Sequence, residues 1–135
     1  MEYFPIFLDL RDQPVLIVGG GALAARRCAA VTEAGGQVRV VAEVLSEAFE
    51  DCRDFEHLAR DFAPDDLGGA RLVFVASDDE ALNERVSSLA RERGIPVNVA
   101  DRQSLCSFIM PSIVNRSPVV RSEERRVGKE CRSRW

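Results

Sequence analysis

The sequence predicts an α/β fold: an open, Rossmann-type parallel sheet of about five strands in the order 3-2-1-4-5, with helices in the connections. Three observations predict it. The runs "PVLIVGG" and "ARLVFVAS" are apolar without alternation, the pattern of strands buried on both faces. Segments of helical spacing fall between the strand-like runs. Three consecutive glycines, Gly19 to Gly21, join the first run to the first such segment. A chain of 135 residues with 46% apolar and 30% charged side chains is one domain of ordinary globular composition.

Taken in order, "PVLIVGG" is the first strand. The alanine-rich stretch from Ala22 to Ala34 is a helix whose buried stripe is Ala24, Cys28 and Val31, and Gly35-Gly36 stops it. "QVRVVAE" is the second strand, "LSEAFEDC" a short helix, "FEHLAR" the third strand and "ARLVFVAS" the fourth. "SDDEALNERVSSLARERG" is a helix. Ser77 and Glu80 match a capping box, Asp78 and Asp79 suit the positive end of its dipole, and Leu82, Val86 and Leu89 form its buried stripe. Gly94 ends it, and "IPVNVAD" is the fifth strand.

No apolar run reaches the roughly 20 residues of a membrane span, and "MEYFPIFLDLRD" lacks the basic and apolar regions of a secretory signal. The expectation is a cytoplasmic protein without a membrane partner. Cys28, Cys52, Cys106 and Cys131 form no CxxC pair, and His57 is the only histidine, so neither a structural metal site nor a redox dithiol is expected.

A break falls at residue 121. Residues 1–120 hold 12 arginines against 19 carboxylates, a net charge of −7. The last 15 residues, "RSEERRVGKECRSRW", carry a net +3, the only lysine (Lys129) and the only tryptophan (Trp135). They show no apolar period. The string matches the in-frame translation of a common sequencing-library adapter, R-S-E-E-R-R-V-G onward, so residues 121–135 are read as a non-native, disordered tail rather than a nucleic-acid arm. The domain is then 1–120.

Gly19-Gly20-Gly21-Ala22-Leu23-Ala24 satisfies G-x-G-x-x-A in the context that gives the motif meaning, after a buried strand and at a helix start. Gly19 supplies a tight turn, Gly21 lets a pyrophosphate approach the helix N-terminus, and Ala24 packs helix on strand. Glu43, 22 positions past Gly21, stands where an acidic residue accepts the adenosine ribose hydroxyls, which favours NAD over NADP. A solvent-facing loop glutamate is the other reading.

Residues 1–120 lack lysine and have Tyr3 as their one tyrosine, which excludes a Tyr–Lys relay and Schiff-base chemistry. A general base would be a carboxylate. Ligands of parallel sheets sit at the carboxyl ends of the strands. The groups projecting there are the glycine turn, Glu43, Ser77 and Asn98 to Asp101, of which Asp101 is the carboxylate placed to face a substrate. A turn aspartate is its alternative role.

Together, "PIFLDLRDQPVLIVGGG", "VASDDEALNERV" and "NVADRQSLCSFIMPSIVNRSP" make residues 1–120 resemble the siroheme synthase N-terminal family. The resemblance implies a precorrin-2 dehydrogenase that oxidises precorrin-2 to sirohydrochlorin with NAD. In bifunctional members the same cleft inserts ferrous iron, as a substrate, to give siroheme. It also implies a homodimer and, in many bacteria, fusion to a uroporphyrinogen-III methyltransferase. By the same resemblance Asp101 is the essential aspartate, and the NAD contacts fall on Gly21, Ala22, Leu23, Glu43, Val44 and near Ser77. Asn98, Arg102 and Arg116, near the fifth strand, are the candidates for recognising the polycarboxylate substrate. Two departures stand out: Ala22-Leu23 replace an acidic residue and valine, and the tail stands where the family continues into dimer-forming helices. An NAD-sensing module without turnover is the competing reading. It leaves the segment 98–118, suited to lining a cleft, unexplained.

Overall fold

The computed structural model describes residues 2–110, together with the backbone of 113–116 and 119–122. Five strands, β1 (Pro14–Val18), β2 (Gln37–Val41), β3 (Phe55–Leu58), β4 (Leu72–Val75) and β5 (Val97–Val99), form one parallel sheet in the order β3-β2-β1-β4-β5. This is the predicted order. The register aligns the strand ends: Val18 pairs with Val41 and Val75, Val41 with Leu58, and Val75 with Val99. All five carboxyl ends therefore finish on one row, and the chain leaves that row five times on the same side.

The uninterrupted apolar strands serve two cores at once. Val15 and Ile17 of β1 face one layer with Val38, Val40, Leu72 and Phe74, covered by helix α1 (Ala22–Glu33) through Ala24, Ala25, Cys28 and Val31. Leu16 and Val18 face the other with Val41, Val73, Val75, Val97 and Val99, covered by helix α2 (Glu80–Glu92) through Val86 and Ala90. Period-two alternation within a run apolar at every position is what places helices on both faces. Gly35, with φ +90°, and Gly36 end α1 as expected.

Three details differ from expectation. "LSEAFEDC" forms a short 3₁₀ helix, Glu47–Asp51, with Phe49 its one fully buried side chain and Leu45, Ala48 and Cys52 partly buried beside it. The cap of α2 is Asp79, which accepts from Leu82 N at 3.2 Å, whereas Ser77 Oγ accepts from Asp79 N at 2.9 Å. The serine thus shapes the turn ahead of the cap instead of closing a box with Glu80. The fully buried face of α2 is Asn83, Val86, Ser87 and Ala90, with Leu82 and Leu89 at its margin. An antiparallel hairpin, β6 (Ile113–Arg116) and β7 (Val119–Ser122), follows the sheet and runs two residues past position 120. The remainder of the tail, with Cys131, lies outside the described residues.

Cys28, Cys52 and His57 serve the packing of the fold. Cys28 is buried, and burial above all, with Cys52 beside it, pushes its thiol up to about 12. Cys52 donates to Ala25 O at 3.3 Å. His57 Nε2–H donates to Ala42 O at 2.7 Å, pinning β3 to the loop after β2.

Beyond β3, Asp66 is buried at 3% exposure and accepts from Arg60 Nη1 at 2.9 Å, Arg60 Nη2 at 2.5 Å and Ala63 N at 2.8 Å. The Arg60 guanidinium holds its carboxyl below the usual carboxylate range. A group with a depressed folded-state value stabilises the fold above its unfolded value, about 4, and ceases to do so as pH falls through the folded one. Asp66→Asn is expected to cost about 1–3 kcal/mol at neutral pH. In acid melts the gap from the parent should close progressively below about pH 4. A gap that persists unchanged into strong acid would show that the charge is irrelevant.

Candidate active site

The loops leaving β1, β2 and β4 interlock through glycine. Gly19 has φ +130°, and a Cβ there would stand 2.2 Å from Ala76 O. Its amide donates to Val41 O at 3.0 Å. A Cβ on Gly20 would stand 2.1 Å from Val44 O, and the Gly20 carbonyl accepts from Ser46 N at 2.7 Å. Both residues must be glycine for the neighbouring strands' loops to approach. Gly21 differs: nothing lies within 4 Å of its missing Cβ. The third glycine faces open space.

That space is a cavity of about 670 Å³ above the row of strand ends. α1 starts on it with Gly21 as N-cap, no side-chain cap and no acidic residue in the first turn. The amides at the helix start are therefore left to a ligand, and the helix dipole favours an anion there. Ala22 and Leu23 also line the cavity. A ligand held there by backbone amides would not depend on the side chains of Ala22 and Leu23.

The structure brings most of the predicted residues together. Gly19, Gly20, Gly21, Ala22, Leu23, Glu43, Val44, Ser77 and Asp101 all line this one cavity. Asn83 Nδ2 donates to Ser77 O at 3.1 Å, anchoring the end of β4, while Asn83 Oδ1 is buried without a partner among the described residues. Asp101 has φ +63°, a left-handed conformation uncommon outside glycine though tolerated by aspartate.

Other predicted residues lie elsewhere. Asn98 is buried on β5 and spends its amide on Phe108 O at 3.0 Å. Arg102 forms an ion pair with Glu80 at the start of α2. Neither lines the cavity. The side chain of Arg116 lies outside the described residues. Of residues 98–110, only Ala100 and Asp101 line the cavity; Cys106 and Ser107 bond to the edge of β5, and Phe108 and Met110 pack against the core layer under α1. Conversely, Arg60, Asp61, Phe62 and Asp78 line the cavity unforeseen. Applying the strand-end rule to β3 as well as to the other strands would have found the first three.

Glu43, Asp61, Asp78 and Asp101 make this wall acidic, and the Arg60 guanidinium there is already neutralised by Asp66. The site is selective by charge: an anion is welcome at the start of α1 and opposed elsewhere.

Residues 6–112 match the family described as "Putative NAD(P)-binding". The chain belongs to this NAD(P)-binding family. The chain is 44% identical over 124 residues to a siroheme synthase of Nitrosomonas eutropha, covering 89% of this chain and 26% of that protein. It is 49% identical over 124 residues to siroheme synthase 2 of Yersinia pestis, with the same coverage of each. The solved structure of SirC, a precorrin-2 dehydrogenase, superposes with a TM-score of 0.73 at 25% identity, covering 89% of this chain and 60% of that one. The chain thus spans about a quarter of the length of the curated relatives it matches. A dinucleotide suits the residues of this NAD(P)-binding chain: an uncapped helix start, an open Gly21 and an acidic β2 end share one cavity. Among the described residues, no helix is long and apolar enough to cross a membrane and no cluster of His, Cys, Asp or Glu could hold a metal ion.

Proposed function

We propose that this chain is the dinucleotide-binding part of a precorrin-2 dehydrogenase, which oxidises precorrin-2 to sirohydrochlorin with NAD. The observation that carries this reading is Asp101, a carboxylate lining the same cavity as the glycine turn and the uncapped start of α1. The amides at the start of α1 would hold the pyrophosphate, and Glu43 the adenosine ribose. NAD⁺ held there would supply the hydride acceptor for oxidation of a saturated carbon of the substrate. Asp101 takes the proton released as that carbon is oxidised, so hydride and proton leave by separate routes. The likeness to siroheme synthases and to SirC supports precorrin-2 as the substrate.

The same carboxylate is suited to accept pyrrole N–H protons as ferrous iron enters sirohydrochlorin, with iron a substrate throughout. We place the protein in the cytoplasm as a homodimer, with residues 1–120 as the natural domain and 121–135 as an acquired tail. Reading the source DNA past the codon for Val120 tests the last point directly. The activity is tested by mixing NAD⁺ and precorrin-2 with the chain joined to its natural continuation and following NADH absorbance. NADH should accumulate; binding of NAD⁺ without NADH would identify a sensor.

Cofactor choice gives a second test. Glu43 and Asp61 line the cavity, and a 2′-phosphate at the ribose would meet their charge. Glu43→Ser is expected to weaken NAD⁺ binding about tenfold, or 1.4 kcal/mol, and to improve NADP⁺ relative to it. Calorimetric titration of both dinucleotides measures the ratio. An unchanged ratio would remove Glu43 from the site.

A further inference from the structure

β5 is the outermost strand on its side of the sheet among the described residues. Its outward backbone groups are nonetheless engaged, largely by side chains. Ser107 Oγ accepts from Val97 N at 2.8 Å, and Ser107 N donates to Val97 O at 2.8 Å. Two residues along, Cys106 Sγ lies 3.1 Å from Val99 N, 3.2 Å from Val99 O and 3.3 Å from Arg102 O. The sulfur accepts from the Val99 amide, and its S–H is shared between the two carbonyls.

Those carbonyls flank the short span that contains Asp101. Ala100 N donates to Val75 O at 2.9 Å, and Arg102 N donates to Val99 O at 3.2 Å, closing a turn around Asp101 at φ +63°. The Asp101 carboxylate makes no hydrogen bond or ion pair with the described residues, so its placement depends on the backbone that carries it. The thiol binds both ends of that backbone. An alanine in its place would leave the Val99 amide without an acceptor on the open edge of the sheet.

We propose that Cys106 is a positioning residue whose thiol clamps the Val99–Arg102 turn and keeps the Asp101 carboxylate in the cavity wall. The proposal rests on the reading of Asp101 as proton acceptor. Sulfur suits the task because its long bond to Cβ reaches three backbone groups at once, and serine retains the donor and acceptor with shorter reach.

The test compares Cys106→Ala and Cys106→Ser in the chain with its natural continuation. Cys106→Ala is expected to lower kcat for NADH formation by about 10- to 100-fold, the scale of a small misplacement of a reacting group. KM for NAD⁺ should stay near that of the parent, and Cys106→Ser should recover most of kcat. Amide exchange should quicken at Val99 and Arg102 and remain slow in β1. A fully active Cys106→Ala, or kcat and NAD⁺ affinity falling together without rescue by serine, would overturn the clamp. The two readings separate: if Asp101→Asn is fully active, the role of Asp101 fails whatever the exchange shows. If Asp101→Asn is inactive and Cys106→Ala is not, only the clamp fails.

Discussion

Asp101→Asn is expected to lower precorrin-2 oxidation by about 10²- to 10⁴-fold, the usual worth of a positioned acid or base, while leaving NAD⁺ affinity nearly unchanged. The substitution keeps shape and volume and removes the ability to take a proton. Asparagine also tolerates the left-handed backbone seen at φ +63°, so the turn need not move. The features proposed to hold the dinucleotide, Gly21 and the start of α1, belong to a different loop and make no bond with the Asp101 side chain. Binding and turnover should therefore come apart. Calorimetry with NAD⁺ and initial rates of NADH formation measure the two separately. Equal rates in parent and variant would take the proton from Asp101 and give it to solvent or another carboxylate of the wall, with Asp78 the next candidate.

Asp101 could be singled out in the sequence because the strand-end rule needs only the order of strands, and that order follows from two unbroken apolar runs and a glycine turn. The same logic placed Glu43 and Ser77 on the cavity. It failed three residues before Asp101 and one residue after it. Asn98 sits within β5, where side chains alternate between the sheet's faces, and its amide is spent on Phe108 O. Arg102 lies just past the turn and is drawn to Glu80. Neither partner is visible from spacing, since both contacts depend on how the segment after β5 folds back over the sheet edge.

That segment is also where periodicity has least to say. Residues 102–110 place one 3₁₀ turn, Gln103–Leu105, and a set of side-chain bonds from Cys106 and Ser107 against β5. No two-residue or 3.6-residue repeat announces such a pairing, because side chains supply part of what a neighbouring strand's backbone would. The 3₁₀ helix at Glu47–Asp51 is illegible for a related reason: with Phe49 its one fully buried side chain, nothing in the pattern separates a 3₁₀ helix from a short α-helix.

The three glycines look alike in sequence and should respond differently to a single methyl group. At Gly20 an added Cβ would lie 2.1 Å from Val44 O, a backbone atom with no freedom to rotate away. The loop after β2 must shift, carrying Glu43 with it. Gly20→Ala is expected to destabilise the fold by about 1–3 kcal/mol, the usual cost of overpacking, and to lose NAD⁺ binding as a consequence. At Gly21 no atom lies within 4 Å, and its φ of −90° is open to any residue. Gly21→Ala should leave the melting temperature close to the parent's, because the N-cap preference for glycine over alanine is worth at most about 1 kcal/mol and lower unfolded-state entropy offsets it by about 0.4–1 kcal/mol. Its methyl group nevertheless projects into the space a pyrophosphate would need. NAD⁺ affinity should fall about tenfold or more, 1.4 kcal/mol per decade. Thermal melts and NAD⁺ titrations of both variants measure the contrast. Parent-like binding by Gly21→Ala would mean that the anion is not seated on the start of α1, and the roles given to Glu43 and Asp101 would lose their common reference point.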